Sequence, residues 1–366
     1  MSETFEQIKK KLLAPKKLKP HLPYDKGLSS GSTLINLACS GRADVAFLPG
    51  YYYLWVGDSG SGKTFITLTT LAEAANNPRY KDYRLIFDQP ERGALMDFRR
   101  YFGVKMAQRI EPPMRLGNLH PTDFNSSTVE EFYYNVDRAI DKGPCIYLLD
   151  SMDALVPKDD REKFNKGRNA YEKGKVDDKG SYGTAKAKVN SSSLRLVHNR
   201  LAENGSILIV ISQTRENIGF DAMFNPKTRG GGKALTFYAA LELWTSVKGH
   251  LKKNVNGKDR EQGVVVKVRV KKGRLAGKDR TVEVPIYHSL GIDDLGSCVD
   301  YLVEEGHWKE VKGKIEAKEF GTEGNREALV RYIEEGGQEG LLRETVGKVW
   351  AEIEAKCEVK RKNRYG

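Results

Sequence analysis

The chain has 366 residues, with 61 Lys or Arg against 49 Asp or Glu and a formal net charge of +12 at pH 7. Hydrophobic residues make up 39%, and no apolar run approaches the roughly 18 residues of a membrane helix, so composition excludes a bundle of membrane spans. Four scattered cysteines (Cys39, Cys145, Cys298, Cys357) form no CxxC pair, which argues against a disulfide framework or a zinc knuckle.

Length fits one large domain or two to three smaller ones. The polar start (MSETFEQIKKKLL) has no signal-peptide core and predicts a cytoplasmic protein. The basic balance suits a polyanionic partner.

In chain order, residues 1–13 predict a short basic amphipathic helix. Residues 14–23 (APKKLKPHLP) read as an extended linker, because proline removes donors and restricts its predecessor. GLSSGSTLINLACSG (27–41) predicts a turn and then a helix. From residue 51 strands and helices alternate. YYYLWV (51–56), RLIF (84–87), CIYLL (145–149) and SILIVI (206–211) are near-continuous apolar runs, as expected of strands buried on both faces of a parallel sheet.

Helical patterns lie between these runs. One spans 128–140, with Ser127 and Glu130 spaced as a capping box, and another spans 188–204, closed by Gly205. VVVKVRVKK (264–272) and TVEVPIY (281–287) alternate instead, as antiparallel strands with one wetter face do. Residues 157–182 are long, highly charged and nearly free of aliphatics, and they read as a loop that is either functional or disordered. Beyond about 292, REALVRYIEEGG and LLRETVGKVWAEIEAK predict amphipathic helices of a small further domain. The expected division is 1–26 (basic helix and linker), 27–291 (α/β core) and 292–366 (small α+β domain with a basic tail).

The chemistry concentrates at GDSGSGKT (57–64), a full GxxxxGK[ST] signature between a strand and a helix. Gly57, Asp58, Ser59, Gly60, Ser61 and Gly62 would turn the backbone so that N–H groups face phosphate oxygens at a helix N-terminus. Lys63 reaches the β- and γ-phosphates, and Thr64 ligates Mg²⁺. The run CIYLLD ends at Asp150, whose carboxylate after a phosphate loop would hold Mg²⁺ through water or through Thr64. Asp88 and Glu91 follow another strand, and either can orient and deprotonate water. Gln213 lies just past SILIVI, where an amide can sense the γ-phosphate. The stretch 216–233 mixes Ile218, Phe220, Met223 and Phe224 with Lys227, Arg229, Lys233 and the glycines Gly230–Gly232. A flexible, positive loop with apolar wedges suits single-stranded DNA.

In this order the pieces resemble the RecA family of recombinases, from about residue 28 to 350. LSSGSTLINLA, LLDSMDALVP, ISQTRENIG, GGGKALTFYA and DYLVEEGHWKEVKGKIEAKEFG carry the likeness. It looks closest to the bacterial branch, with the irregularities of a phage-borne relative. The resemblance implies an α/β fold, with a mostly parallel sheet flanked by helices. It implies a DNA-dependent ATPase using ATP and Mg²⁺. It also implies Glu91 as catalytic glutamate, Phe98 as the ring on adenine and Gln213 as the coupling residue.

Residues 157–182, with Arg168 inside them, match the first DNA loop, and 216–233 match the second. Lys272 and Arg274 match basic residues that reach a neighbouring subunit's ATP. Expected partners are single-stranded DNA, homologous duplex DNA, further copies in a helical filament, and single-strand-binding and mediator proteins. A bacterial or phage-infected cytoplasm is the expected location.

The chain departs from the pattern in four places. An extra residue separates Asp88 from Glu91, the first DNA loop is longer and more charged, one of the two basic positions at 272 and 274 carries Arg where the bacterial branch has Lys, and the C-terminus (KCEVKRKNRYG) is basic rather than acidic. The expected function is an ATP-dependent recombinase. The alternative is a hexameric helicase-like motor, or a mediator ATPase of the same fold.

Overall fold

The computed structural model describes residues 23–113, 125–174, 185–216, 227–361 and 364. The expected helix at 1–13, nearly all of the linker, and Ile218, Phe220, Met223 and Phe224 lie outside the described residues.

Helix α1 (Thr33–Ser40) begins at Ser32, whose hydroxyl accepts from the Ile35 N–H, and ends at Gly41 in the left-handed region. Strand β1 (Tyr52–Gly57) is buried throughout and leads to α2 (Lys63–Asn76). Then follow β2 (Arg84–Asp88), α3 (Phe98–Arg109), the short β3 (Ile110–Glu111), α4 (Val129–Asp141) and β4 (Cys145–Leu149). After them come α5 (Lys158–Glu172), α6 (Ala185–Asn204), β5 (Ile207–Glu216), β6 (Lys227–Arg229) and α7 (Lys233–Tyr238). The hairpin β7 (Leu241–Val255) and β8 (Lys258–Gly273) is followed by β9 (Arg280–Tyr287) and β10 (Gly291–Ile292).

One sheet runs β10-β9-β8-β7-β1-β5-β4-β2-β3, with β6 paired to β5. Strands from β7 to β3 are parallel, with Leu54 opposite Val210 and Leu148 opposite Ile209. Strands β7 to β10 are antiparallel. The alternation read in 264–272 is real: Val266, Val268 and Val270 are buried, while Lys267, Arg269 and Lys271 are exposed. Charges on that wet face cover part of the sheet's exposed side.

The two faces have separate cores. Trp55, Tyr53, Leu148, Ile209 and Ile211 pack with α1 and α2 on one face. Tyr52, Leu54, Tyr147, Leu149 and Val210 pack with α4 and α6 on the other. Burial on both faces is why these strands read as continuous apolar runs.

The last segment contains α8 (Asp294–Glu304), a small antiparallel sheet of β11 (Lys309–Val311), β12 (Lys314–Ala317) and β13 (Thr322–Gly324), α9 (Arg326–Glu335) and α10 (Glu339–Lys356). Its Trp308, Leu342, Val346 and Trp350 join the same apolar cluster as Trp55. At about 25 cal/mol per Å² this shared burial is a major part of what holds the segment to the core.

Two local expectations are corrected. The capping box of α4 is Thr128 with Glu131, one residue later than Ser127 with Glu130. Both glutamates are plausible in the sequence, but Glu131 reaches back to Thr128 while Glu130 accepts from the Lys158 N–H at 2.9 Å. The segment expected as a loop from 157 to 182 begins as a helix, α5, with no buried residue. Its apolar content is too low to show an inward face. Asp159 and Asp160 in the first turn suit the helix dipole, and Glu130 accepts from its first N–H.

Candidate nucleotide site and adjoining basic loop

The phosphate-type loop follows a strand that ends at Gly57. A Cβ there would lie 2.2 Å from Thr245 Oγ1 and 2.5 Å from the Thr245 carbonyl, so only glycine lets β1 pass β7 and turn. Ser61 Oγ donates to the Asp58 carbonyl at 2.7 Å and lies 2.7 Å from Thr245 Oγ1. Helix α2 starts at once, at Lys63. Its first N–H groups have no partner within the helix and face the loop, the arrangement that binds anions.

Lys63 is buried, and its ammonium donates to the Gly57 carbonyl at 2.9 Å and the Asp58 carbonyl at 2.6 Å. Burial lowers its pKa, and the carboxylates of Asp150, Asp58, Glu91 and Asp153 oppose that shift. Thr64 Oγ1 donates to Asp150 Oδ2 at 2.6 Å. Burial raises the Asp150 pKa and Glu91 adds to the rise, while the Thr64 hydrogen bond and Lys63 resist it. A buried carboxylate and a hydroxyl, side by side beneath a helix N-terminus, form an oxygen donor set that fits Mg²⁺, which takes few protein ligands and keeps phosphate and water for the rest. A loop that ends at a helix N-terminus and carries one buried lysine fits a nucleoside triphosphate.

The two candidate bases have separate surroundings. Asp88 is fully buried. It accepts from Ser126 N at 2.9 Å, Ser126 Oγ at 2.5 Å and Tyr147 OH at 2.8 Å. Burial pushes its pKa up to about 6, against those three hydrogen bonds. Every lone pair it can use is turned into the protein, so it braces the end of β2. Glu91 lies in the open, and Oε1 accepts from Ser151 Oγ and from Gln213 Nε2, the latter at 2.8 Å. Of the two acids, Glu91 is the one whose carboxylate stands at the surface of the site, while Asp88 is enclosed. The sequence could not separate them, because Asp88's partners lie 38 and 59 residues away.

Phe98 opens α3 and is half-buried, with its ring 6.2 Å from that of Phe87 and 5.8 Å from that of Phe102. Asp153, which sequence reasoning passed over, ties the site together. Its Oδ2 accepts from Ser212 Oγ at 2.8 Å and Gln213 N at 2.7 Å, and Arg215 lies 3.5 Å away. An acid three residues past Asp150 was the signal available. Ser126, Ser151 and Thr245 carried none.

The glycine-rich loop behaves differently from its expected flexibility. Gly231 and Gly232 have φ of +84° and +85°. A Cβ on Gly231 would lie 2.6 Å from Leu235 Cδ1, and one on Gly232 2.6 Å from Ala187 Cβ. These glycines pack closely against α6 and α7. Asn190 Nδ2 fixes the Gly231 carbonyl at 2.9 Å, and a Cβ on Gly230 would crowd Arg215 and Asp153. The side chain of Arg229 is largely covered, and its guanidinium donates to the Gly230 and Gly232 carbonyls at 3.0 and 3.1 Å and to Thr236 Oγ1, so it braces the turn. Lys227 reaches Asp58, and Lys233 is exposed. Arg168, on exposed α5, lies 3.9 Å from Glu172.

Lys272 ends β8 and donates to the Thr236 and Phe237 carbonyls at 2.5 and 2.9 Å. Burial and then the nearby Arg274 lower its pKa. Arg274 donates to the Phe237 carbonyl at 2.6 Å. Both bases thus stand together on the C-terminal end of α7. No described contact joins them to the chain's own Gly57–Thr64 loop.

Residues 136–293 match the model of the RecA N-terminal domain family. Protein RecA of Nostoc punctiforme is 27% identical over 84% of this chain and 76% of its own length. Protein RecA of Chlamydia trachomatis serovar L2 is 30% identical over 57% of this chain and 54% of its own. Protein RecA of Lactobacillus delbrueckii subsp. bulgaricus is 28% identical over 76% of this chain and 74% of its own.

Proposed function

We propose, on the likeness to the RecA N-terminal domain family and to RecA proteins of several bacteria, that the chain is a RecA-family protein and an ATP-dependent DNA recombinase, one that assembles on single-stranded DNA and promotes homologous pairing and strand exchange. The observation that carries this reading is the hydrogen bond from Gln213 to Glu91, beside the Lys63, Thr64 and Asp150 set. Gln213 stands on the strand whose end leads into the 217–226 connection. The group that handles water and the segment that handles DNA therefore share one amide.

In this reading Lys63 and the α2 N–H groups hold the phosphates, and Thr64 and Asp150 hold Mg²⁺, which when bound neutralises charge on the β- and γ-oxygens. Glu91 orients the attacking water and takes its proton, with its carboxylate positioned by Ser151 and Gln213. Phe98 offers a ring for the base. Lys272 and Arg274 act on the nucleotide of a neighbouring copy. That arrangement makes nucleotide binding an act of assembly, and a head-to-tail contact that does not close gives a helical filament. DNA contacts come from Lys227, Lys233 and the 217–226 connection, with Gly230 and Gly231 shaping its base. Residues 292–366 and the basic C-terminal stretch are proposed to meet duplex DNA.

The test is ATP turnover with and without oligo(dT). Stimulation of tenfold or more supports the reading. Turnover unchanged by DNA refutes it.

A further inference from the structure

Asp58 carries a second connection that the proposed chemistry does not use. Its backbone carbonyl accepts the Lys63 ammonium at 2.6 Å. Its carboxylate points the other way, with Oδ1 accepting from Thr214 Oγ1 and Oδ2 from Lys227 Nζ. Thr214 and Lys227 are not neighbours in sequence. They sit on the paired strands β5 and β6, where Thr214 faces Arg229 and Glu216 faces Lys227. They therefore flank the 217–226 connection, one before it and one after. A single residue of the phosphate loop thus holds the phosphate-sensing lysine on its backbone and both roots of the DNA-facing segment on its side chain.

The pair is about half exposed, 44% for Asp58 and 49% for Lys227. Ion pairs so placed are weak and open to competition. A backbone phosphate of DNA can take Lys227 from Asp58, because both offer the lysine the same charge. A phosphate that draws Lys63 forward removes the bond to the Asp58 carbonyl in the same movement. The linkage is reciprocal, as any binding coupling must be. It is also separate from Gln213, whose backbone is anchored by Asp153.

We infer that Asp58 is a positioning residue that couples nucleotide affinity to DNA affinity by holding Thr214 and Lys227 against the phosphate loop. This rests on the recombinase reading and adds a route to it that does not pass through Gln213.

The test is a double-mutant cycle on a ratio. The dissociation constant of fluorescein-labelled oligo(dT) is measured with ATPγS and with ADP for the wild type, Asp58→Asn, Lys227→Met and the double variant. Asn keeps an acceptor for Thr214 and loses the ion pair. Binding of a fluorescent ADP analogue and a circular-dichroism melt report that each variant folds. If Asp58→Asn does not fold, Lys227→Met decides the matter alone.

The expected result is a rise of about fivefold or more, toward unity, in the ratio of the dissociation constant with ATPγS to that with ADP for each single variant, the low end of typical couplings, with no further rise in the double variant. A general loss of DNA affinity moves both constants and leaves the ratio in place. Single variants that keep the wild-type ratio, or single effects that multiply in the double, overturn the inference and leave the recombinase reading standing. A wild type in which ATPγS does not tighten DNA binding overturns both.

Discussion

Exchanging each candidate base for its amide, Asp88→Asn and Glu91→Gln, separates structure from chemistry. Burial raises the folded-state pKa of Asp88 from 3.8 to about 6, so folding favours the protonated acid. Its stabilising contribution is fully present below pH 4, is lost as pH rises from about 4 to 6, and stays lost above. The size of the shift corresponds to about 3 kcal/mol at neutral pH, as an order of magnitude. Asparagine cannot ionise. Its carbonyl can still accept from Ser126 N, and its amide can donate to Ser126 Oγ and Tyr147 OH, both of which also accept. The stability of Asp88→Asn relative to wild type should therefore rise by about 3 kcal/mol between pH 4 and pH 6.5, read by urea unfolding at a series of pH values. Parallel pH profiles would refute the reasoning about burial. In turnover the order reverses. Glu91→Gln should lose at least about 100-fold in DNA-stimulated hydrolysis, the usual worth of a general base, while Asp88→Asn stays within about threefold. An inactive Asp88→Asn beside an active Glu91→Gln would refute the assignment.

Further expectations follow from the same geometry. Gly231→Ala meets both a φ of +84° and the Leu235 side chain, so it should cost about 1–3 kcal/mol in thermal or urea unfolding. A negligible shift would mean that the turn relaxes freely. Lys63→Ala should abolish nucleotide binding measured by a fluorescent ATP analogue, because no second described cation lies on the loop carbonyls. Lys272→Ala with Arg274→Ala should lower turnover in the assembled protein by about 10³-fold if the pair acts on a neighbour's nucleotide. Mixed with Lys63→Ala, that double variant should regain part of the lost activity, since each supplies the half the other lacks. No regain in mixtures would place the pair's role within its own chain.

Much of the core was legible because the physical signals are local. Near-continuous apolar runs mark strands covered on both faces, and alternation in 264–272 marks the antiparallel edge. The phosphate loop is visible because strand, glycines and helix are contiguous. What stayed hidden depends on distant partners. Asp88 and Glu91 look alike until Ser126 and Tyr147 enclose the first and Gln213 meets the second. Arg229 reads as one more basic loop residue, and nothing local shows that its guanidinium is bonded to the turn that it shapes. The glycines at 230–232 look flexible, yet Leu235 of α7 crowds Gly231 and Ala187 of α6 crowds Gly232. Helix α5 has no apolar face to announce it. Asp58 looks like one more loop residue, because the strands that make its carboxylate a link lie more than 150 positions away.

In the proposed function, ATP, joined between copies by Lys63 on one side and Lys272 and Arg274 on the other, builds a helical filament on DNA. Negative-stain imaging of the protein with long single-stranded DNA and ATPγS tests it most directly. The account predicts continuous helical filaments whose length follows the DNA and which dissolve in the Lys63→Ala variant. Closed six-membered rings, or isolated particles on bare DNA, would contradict it.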